Sequence, residues 1–334
     1  MRTVEVRDAS QVAEARRIAV NLAQTHGFGE ADAGRVAIVS TELATNLIKH
    51  GGGGVLLVGG YDDDSGSGIE CIALDKGPGM ADVRASTRDG HSTAGSLGTG
   101  LGAVVRGSHT SEIYSLPGLG TAILARLQPG QPGLADMPDH PSYGGIEIPI
   151  NGEEVCGDAW CRKPLADGFA VVMADGLGHG PFAAEAANAA TRIFLKAGES
   201  LPSDMLVAMH EALRPTCGAA VGIAHFEHSS AQIVFAGVGN IAATIVDGDA
   251  VVRRMVSNNG TIGHVARRMR DFHYPLDRPT LMILASDGLA TSWRLDVYPG
   301  LFSKHPTLIA GVLYRDFARA RDDVGIFVAR IDPA

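Results

Sequence analysis

The chain has 334 residues, 45% of them apolar and 19% charged, the make-up of a globular protein with room for two cores. A formal net charge of −9 sets nucleic acid aside as the main partner, because duplex binding needs a clustered basic surface. No apolar run is long enough to cross a bilayer and no charged-then-apolar leader opens the chain, so the expectation is no membrane and a cytoplasmic setting. Two helices are predicted first, over residues 10–25 and 30–50. The second carries Val36, Val39, Leu43 and Leu47 at helical spacing and stops at the glycine run 51–54. Strands follow at 55–58 and 69–74, then a glycine-rich loop, a helix, and a hairpin of 113–116 and 122–127 about a Pro-Gly-Leu-Gly turn. Cys71, Cys156, Cys161 and Cys217 match no common zinc spacing and are expected to be reduced thiols.

This half gathers residues suited to a nucleotide. Glu42 and Asn46, four apart on one helix, share a face. Asp75 ends an apolar strand and opens the turn DKGPG, with Gly77 and Gly79. A Ser- and Gly-rich stretch then leads to GTGLG, where Gly98, Gly100, Leu101 and Gly102 start a helix. A buried carboxylate can accept the exocyclic amine of adenine, glycines let the backbone approach phosphates, and a helix N-terminus favours anions. An Asn oxygen suits Mg²⁺, and a Glu can orient or deprotonate a hydroxyl.

The run PGQPGLADMPDHPSYGG over 129–145 suits neither helix nor strand and reads as a linker. It divides a domain at 1–128 from one at 143–334, with 129–142 between them. In the second half, strands are predicted at 169–174, 219–225, 232–236, 242–246 and 281–285, and helices at 181–197, 203–213 and 306–320. Strands in the majority with a few long helices suggest stacked sheets covered by helices. Acidic residues recur where a strand meets a turn: Asp158 in CGDAW, Asp175 in MADGLGHG, Asp287 in ASDGL and the pair Asp322/Asp323 in RDDVGIF. Carboxylates, carbonyls and waters suit Mn²⁺ and Mg²⁺, and two such ions can activate a bridging water and clamp a phosphate. His179 reads as a helix-entry residue, and Arg162 or Lys163 as the basic residue available to grip a phosphate.

The order Glu-x-x-x-Asn, Asp-x-Gly-x-Gly, Gly-x-Gly-x-Gly resembles the ATP-binding fold of the small anti-sigma-factor serine kinases, a branch of the histidine kinase and gyrase superfamily. The resemblance implies Glu42 as catalytic base, Asn46 as the Mg²⁺ ligand, Asp75 on adenine, Gly77 and Gly79 shaping its pocket, and Gly98, Gly100, Leu101 and Gly102 around the phosphates of ATP. From about residue 143 the phrases GDAW, VVMADGLGHG, FAGVGN, LASDGL and DDVGIFVAR resemble, in order, the PPM metal-dependent phosphatases of the SpoIIE-like branch. That match implies Asp175 as the catalytic bridge between two Mn²⁺ or Mg²⁺ ions, aided by the Gly176 carbonyl, with Asp158, Asp287 and Asp322 completing the shells. The implied fold is α+β, an N-terminal Bergerat α/β sandwich followed by a PPM-type β-sandwich flanked by helices. The implied function is partner switching: dephosphorylation of a phosphoserine or phosphothreonine on a STAS-type anti-sigma-factor antagonist or stressosome-like protein, with a serine-kinase activity toward the same substrate class. The alternative left open by the residues is an N-terminal domain that only senses nucleotide or docks a partner.

Overall fold

The computed structural model describes residues 1–83, 100–131, 142–248 and 251–333. The chain forms two compact units, Met1–Pro141 with Ser303–Arg315, and Ser142–Phe302 with Asp316–Ala334. The α+β class is as expected, in mixed helix and antiparallel sheet. Among the described residues no helix is long and apolar enough to cross a membrane.

The first unit holds β1 (Arg2–Val6), α1 (Ala9–Thr25), α2 (Glu30–Lys49), β2 (Gly54–Asp63), β3 (Gly66–Asp75), α3 (Gly100–Gly107), β4 (Thr110–Leu116) and β5 (Gly120–Leu127). Its antiparallel sheet runs β1-β2-β3-β5-β4. Asp8 starts α1 through a capping box: its Oδ1 accepts from Ser10 N at 2.8 Å, and Gln11 Oε1 accepts from Asp8 N at 3.0 Å. The four expected apolar residues of α2 are all buried, against Leu56, Val58, Ile69, Cys71 and Ala73 of the sheet. Strand β1 is absent from the sequence reading, because five residues at a chain end carry little periodic signal.

Strands normally alternate between covered and open faces, yet β3 is buried at every position from Gly68 to Asp75, with only Gly66 and Ser67 less covered, so both faces of the sheet are covered. The second cover is the last helix of the chain, α6 (Pro306–Phe317), of which residues up to Arg315 belong to this unit. A Cβ on Gly311 would stand 3.1 Å from Ile72 Cγ2, so glycine permits the close approach. Thr307 Oγ1 accepts from Arg126 Nη2 at 2.9 Å, and His305 N donates to Glu112 Oε2 at 2.6 Å. Arg126 is itself buried, paired with Asp63 and Glu70 and stacked 4.2 Å above the Tyr61 ring.

The second unit is two antiparallel five-stranded sheets. One contains β7 (Asp158–Leu165), β8 (Gly168–Gly176), β9 (Ala219–Glu227), β10 (Gln232–Val238) and β15 (Phe272–Pro275). The other contains β6 (Tyr143–Ile148), β11 (Ala242–Asp247), β12 (Val252–Met255), β16 (Thr280–Ala285) and β17 (Val324–Ile331). A short ladder of β13 (Gly260–Thr261) and β14 (Val265–Ala266) forms a separate pair, tied to β9 by the bridge between Ile262 and Ala219. Alternation along β8 divides the core: Phe169, Val171 and Met173 join Met282, Leu284 and Phe327 between the sheets. Ala170, Val172 and Ala174 instead meet Ala187, Ala190 and Phe194 of α4 (Pro181–Lys196) and Leu206 and Met209 of α5 (Pro202–Ala212). Small alanines on both surfaces let the helices lie close to the sheet.

Candidate functional site

In the first unit Asp75 closes β3 and is 9% exposed. Its Oδ1 accepts from Gly77 N at 2.9 Å and Thr121 N at 3.1 Å, which fixes the carboxyl group in one orientation. Burial raises its pKa, and those two amides oppose the rise. The glycine run after α2 does more than end a helix. A Cβ on Gly51 would fall 2.6 Å from Asp75 Cβ, and one on Gly77 would fall 2.8 Å from Gly51 Cα, so the helix end and the turn meet backbone to backbone. Gly79 has φ +71°, and a Cβ there would strike Leu116 O at 2.0 Å.

Two turns of α2 carry the rest. A Cβ on Gly100 would lie 3.0 Å from Glu42 Oε2 and 3.4 Å from Asn46 Oδ1, so the start of α3 sits against the Glu/Asn pair. Asn46 Nδ2 is buried without a partner, and an unpaired buried donor fits an anionic oxygen such as that of a phosphate. Leu101 packs part-buried on the core and Gly102 is buried in α3. Gly98 lies outside the described residues. The structure therefore joins Glu42, Asn46 and Gly100 along the last turns of α2 and Asp75, Gly77 and Gly51 just past the same end.

In the second unit Asp158 and Asp175 are register partners across β7 and β8. Asp287 follows β16, and Asp322 precedes β17. Asp175, Asp287 and Asp322 face one cavity of about 510 Å³, with Asn240, Thr261 and His179 also in its wall. Burial first and Asp175 second hold the Asp158 pKa well above the usual carboxylate range, and its Oδ2 has no partner. Asp175 is pushed up to about 7 by burial, Asp287 and Asp322. Burial and Asp322 raise Asp287, whose Oδ2 accepts from Asn240 Nδ2 at 2.5 Å. Among the described residues no three His, Cys, Asp or Glu side chains already stand at the spacing of a metal shell. The fit to divalent cations rests instead on the unpartnered Asp158 oxygen and the mutual repulsion, both of which a cation relieves.

Asp323 does a different job from Asp322. It is 2% exposed, its Oδ1 accepts from Ile150 N at 2.7 Å and its Oδ2 from Gly157 N at 2.9 Å. Both oxygens thus hold the segment that presents Asp158. Gly176 packs against α4, where a Cβ would strike Ala183 O at 2.1 Å. The basic residues expected at the phosphate are elsewhere. Arg162 stacks on Tyr143 and Phe169, and Lys163 Nζ donates to the carbonyls of Phe194 and Ala197 at the end of α4. His179 does not cap α4, whose N-cap is Gly180; its Nδ1 lies 2.8 Å from Glu153 Oε1. Asn240, Thr261 and Arg321 also line this cavity and are left unassigned by the sequence reading, although Asn240 ends the phrase FAGVGN.

All four cysteines are free, and burial raises the thiol pKa of each, to about 12 for Cys71 and Cys161. Such thiols stay protonated and unreactive.

Comparison with known proteins matches both units. The histidine kinase-like ATPase domain model matches residues 6–127, and the Stage II sporulation protein E (SpoIIE) model matches residues 166–332. The serine/threonine-protein kinase RsbT of Bacillus subtilis (strain 168) is 37% identical over 114 residues, 34% of this chain and 86% of that protein. A solved structure described as the bacterial stressosome, a modular system adapted to control secondary messenger signalling, is 24% identical with a TM-score of 0.53. It covers 57% of this chain and 98% of its own, and shares the fold. The chain belongs to the SpoIIE family, an enzyme with a PPM-type serine/threonine phosphatase domain behind an RsbT-like, histidine kinase-like ATPase domain.

Proposed function

We propose that the protein is a partner-switching regulator that removes phosphate from a phosphoserine or phosphothreonine of a STAS-type anti-sigma-factor antagonist. The observation that carries this reading is the convergence of Asp175, Asp287 and Asp322 on one cavity, with Asp158 paired to Asp175 behind them. In this reading Asp158, Asp175, Asp287, Asp322 and the Gly176 carbonyl hold two Mn²⁺ or Mg²⁺ ions. When bound, the ions supply an activated water and a clamp for the phosphate. Asn240 keeps the Asp287 carboxylate turned in one direction, and Asp323 anchors the loop from which Asp158 projects. Measuring phosphate release from a phosphoserine STAS protein, with Mn²⁺ and then with chelator, tests the reading. Release that chelator does not stop counts against it.

The first unit is assigned ATP with Mg²⁺. Asp75 accepts the adenine amine, Asn46 holds Mg²⁺, Gly100 and Gly102 lie by the phosphates, and Glu42 takes the proton of the substrate hydroxyl. The RsbT likeness over 114 residues supports phosphorylation of the same substrate class. Glu42→Ala should abolish phosphorylation and leave ATP binding in place; phosphorylation that persists removes Glu42 as the base, and a parent chain that binds ATP yet phosphorylates no STAS protein uses nucleotide only to sense it or to dock a partner.

A further inference from the structure

We infer that Arg321 grips the substrate phosphate in the cavity of the second unit, which rests on the phosphatase reading above. Arg321 lines the same cavity as Asp175, Asp287 and Asp322. Of the described residues in that wall it alone carries a permanent positive charge, since His179 is the only other basic residue there and is engaged with Glu153. The turn that bears Arg321 is anchored on both sides. Arg319 N donates to Gly288 O at 2.7 Å, and Asp323 N donates to Asp322 Oδ1 at 2.9 Å. Among the described residues no hydrogen bond or ion pair ties the Arg321 guanidinium down, and the residue is exposed at the cavity mouth.

An arginine that served only to offset the acidic cluster would bridge to one of its carboxylates. Among the described residues Arg321 bridges to none of Asp175, Asp287 and Asp322. Arg321 is left free for an anion that enters the cavity. A phosphate monoester carries close to two negative charges and presents a face that matches the guanidinium fork. Its approach to four carboxylates is repulsive until cations and a fixed positive side chain balance the field. The two basic residues suggested by the sequence cannot supply that charge, because both are held away from the cavity.

The test uses the full chain loaded with Mn²⁺ and three variants, Arg321→Ala, Arg321→Gln and Arg321→Lys. Calorimetry with inorganic phosphate reads the grip directly, and hydrolysis of para-nitrophenyl phosphate reads turnover. Arg321→Ala and Arg321→Gln should weaken phosphate binding and raise KM by about tenfold to a hundredfold, the loss expected for a charge-assisted pair. Mn²⁺ affinity should stay within about twofold and kcat should change far less than KM, while Arg321→Lys recovers part of the binding. Unchanged phosphate affinity in Arg321→Ala overturns the assignment, as does a parallel loss of Mn²⁺ affinity. A parent that binds phosphate through Arg321 yet hydrolyses nothing would overturn the phosphatase reading and leave the grip standing.

Discussion

Asp322 and Asp323 are neighbours with the same side chain and different tasks. Asp322 faces the cavity, whereas both oxygens of Asp323 accept backbone amides from residues 166 and 173 positions away in the chain. The cavity carboxylates carry a pH signature that can be measured without turnover. In the metal-free protein the Asp175 pKa stands at about 7, against an ordinary 3.8. Between those values the folded state keeps a proton that the unfolded chain has released, so stability falls as pH rises through that window. A shift of this size corresponds to roughly 4 kcal/mol. Chelated wild-type protein should therefore melt at a lower temperature at pH 7.5 than at pH 5. Asp175→Asn should flatten that dependence and lower metal-dependent phosphate release at least about a hundredfold, with an unchanged circular dichroism spectrum. Equal melting slopes in the two proteins would contradict the coupling. At this scale the positions of Asp158, Asp175, Asp287 and Asp322 at strand ends are legible in the sequence, because each stands where a strand meets a Gly-rich or polar turn; their hold on metal remains the proposal made above. The role of Asp323 is not legible, because its partners, Ile150 and Gly157, are remote in the chain.

Among the elements, α6 most changes the picture drawn from sequence. An apolar helix is expected at 306–320, and one forms at Pro306–Phe317. Its residues 306 to 313 are all buried, and a helix buried on every side must have structure all around it. That pattern was present in the sequence, but it does not say which sheet the helix covers. The answer lies in Arg126, whose pairing with Asp63, Glu70 and Thr307 is invisible until the fold brings residues 63, 70, 126 and 307 together. Arg126→Met leaves two buried carboxylates without their cation and should cost roughly 3–5 kcal/mol in denaturant unfolding. Losses below about 1 kcal/mol would mean that Glu70 is protonated in the folded state, in line with its pKa raised to about 7 by burial.

For the whole molecule, the Gly- and Pro-rich run around 129–145 announces two bodies, and two compact units form. The sequence offers no sign that the chain returns to the first unit over Ser303–Arg315 before finishing the second. Apolar periodicity reports that a segment is buried but not what buries it. Protein nicked between residues 132 and 141 should therefore remain one species in size-exclusion chromatography and separate only in denaturant, because α6 belongs covalently to the second fragment. Separation under native conditions would show that α6 is dispensable to the first unit. The same return of the chain sets an order on synthesis. Leu57, Ile72, Leu74 and Leu124 are made early, while the helix that covers their side of the sheet leaves the ribosome only after more than 300 residues have been joined. The first unit is thus incomplete until most of the second has been made, and a nascent chain must shield that apolar face until α6 arrives.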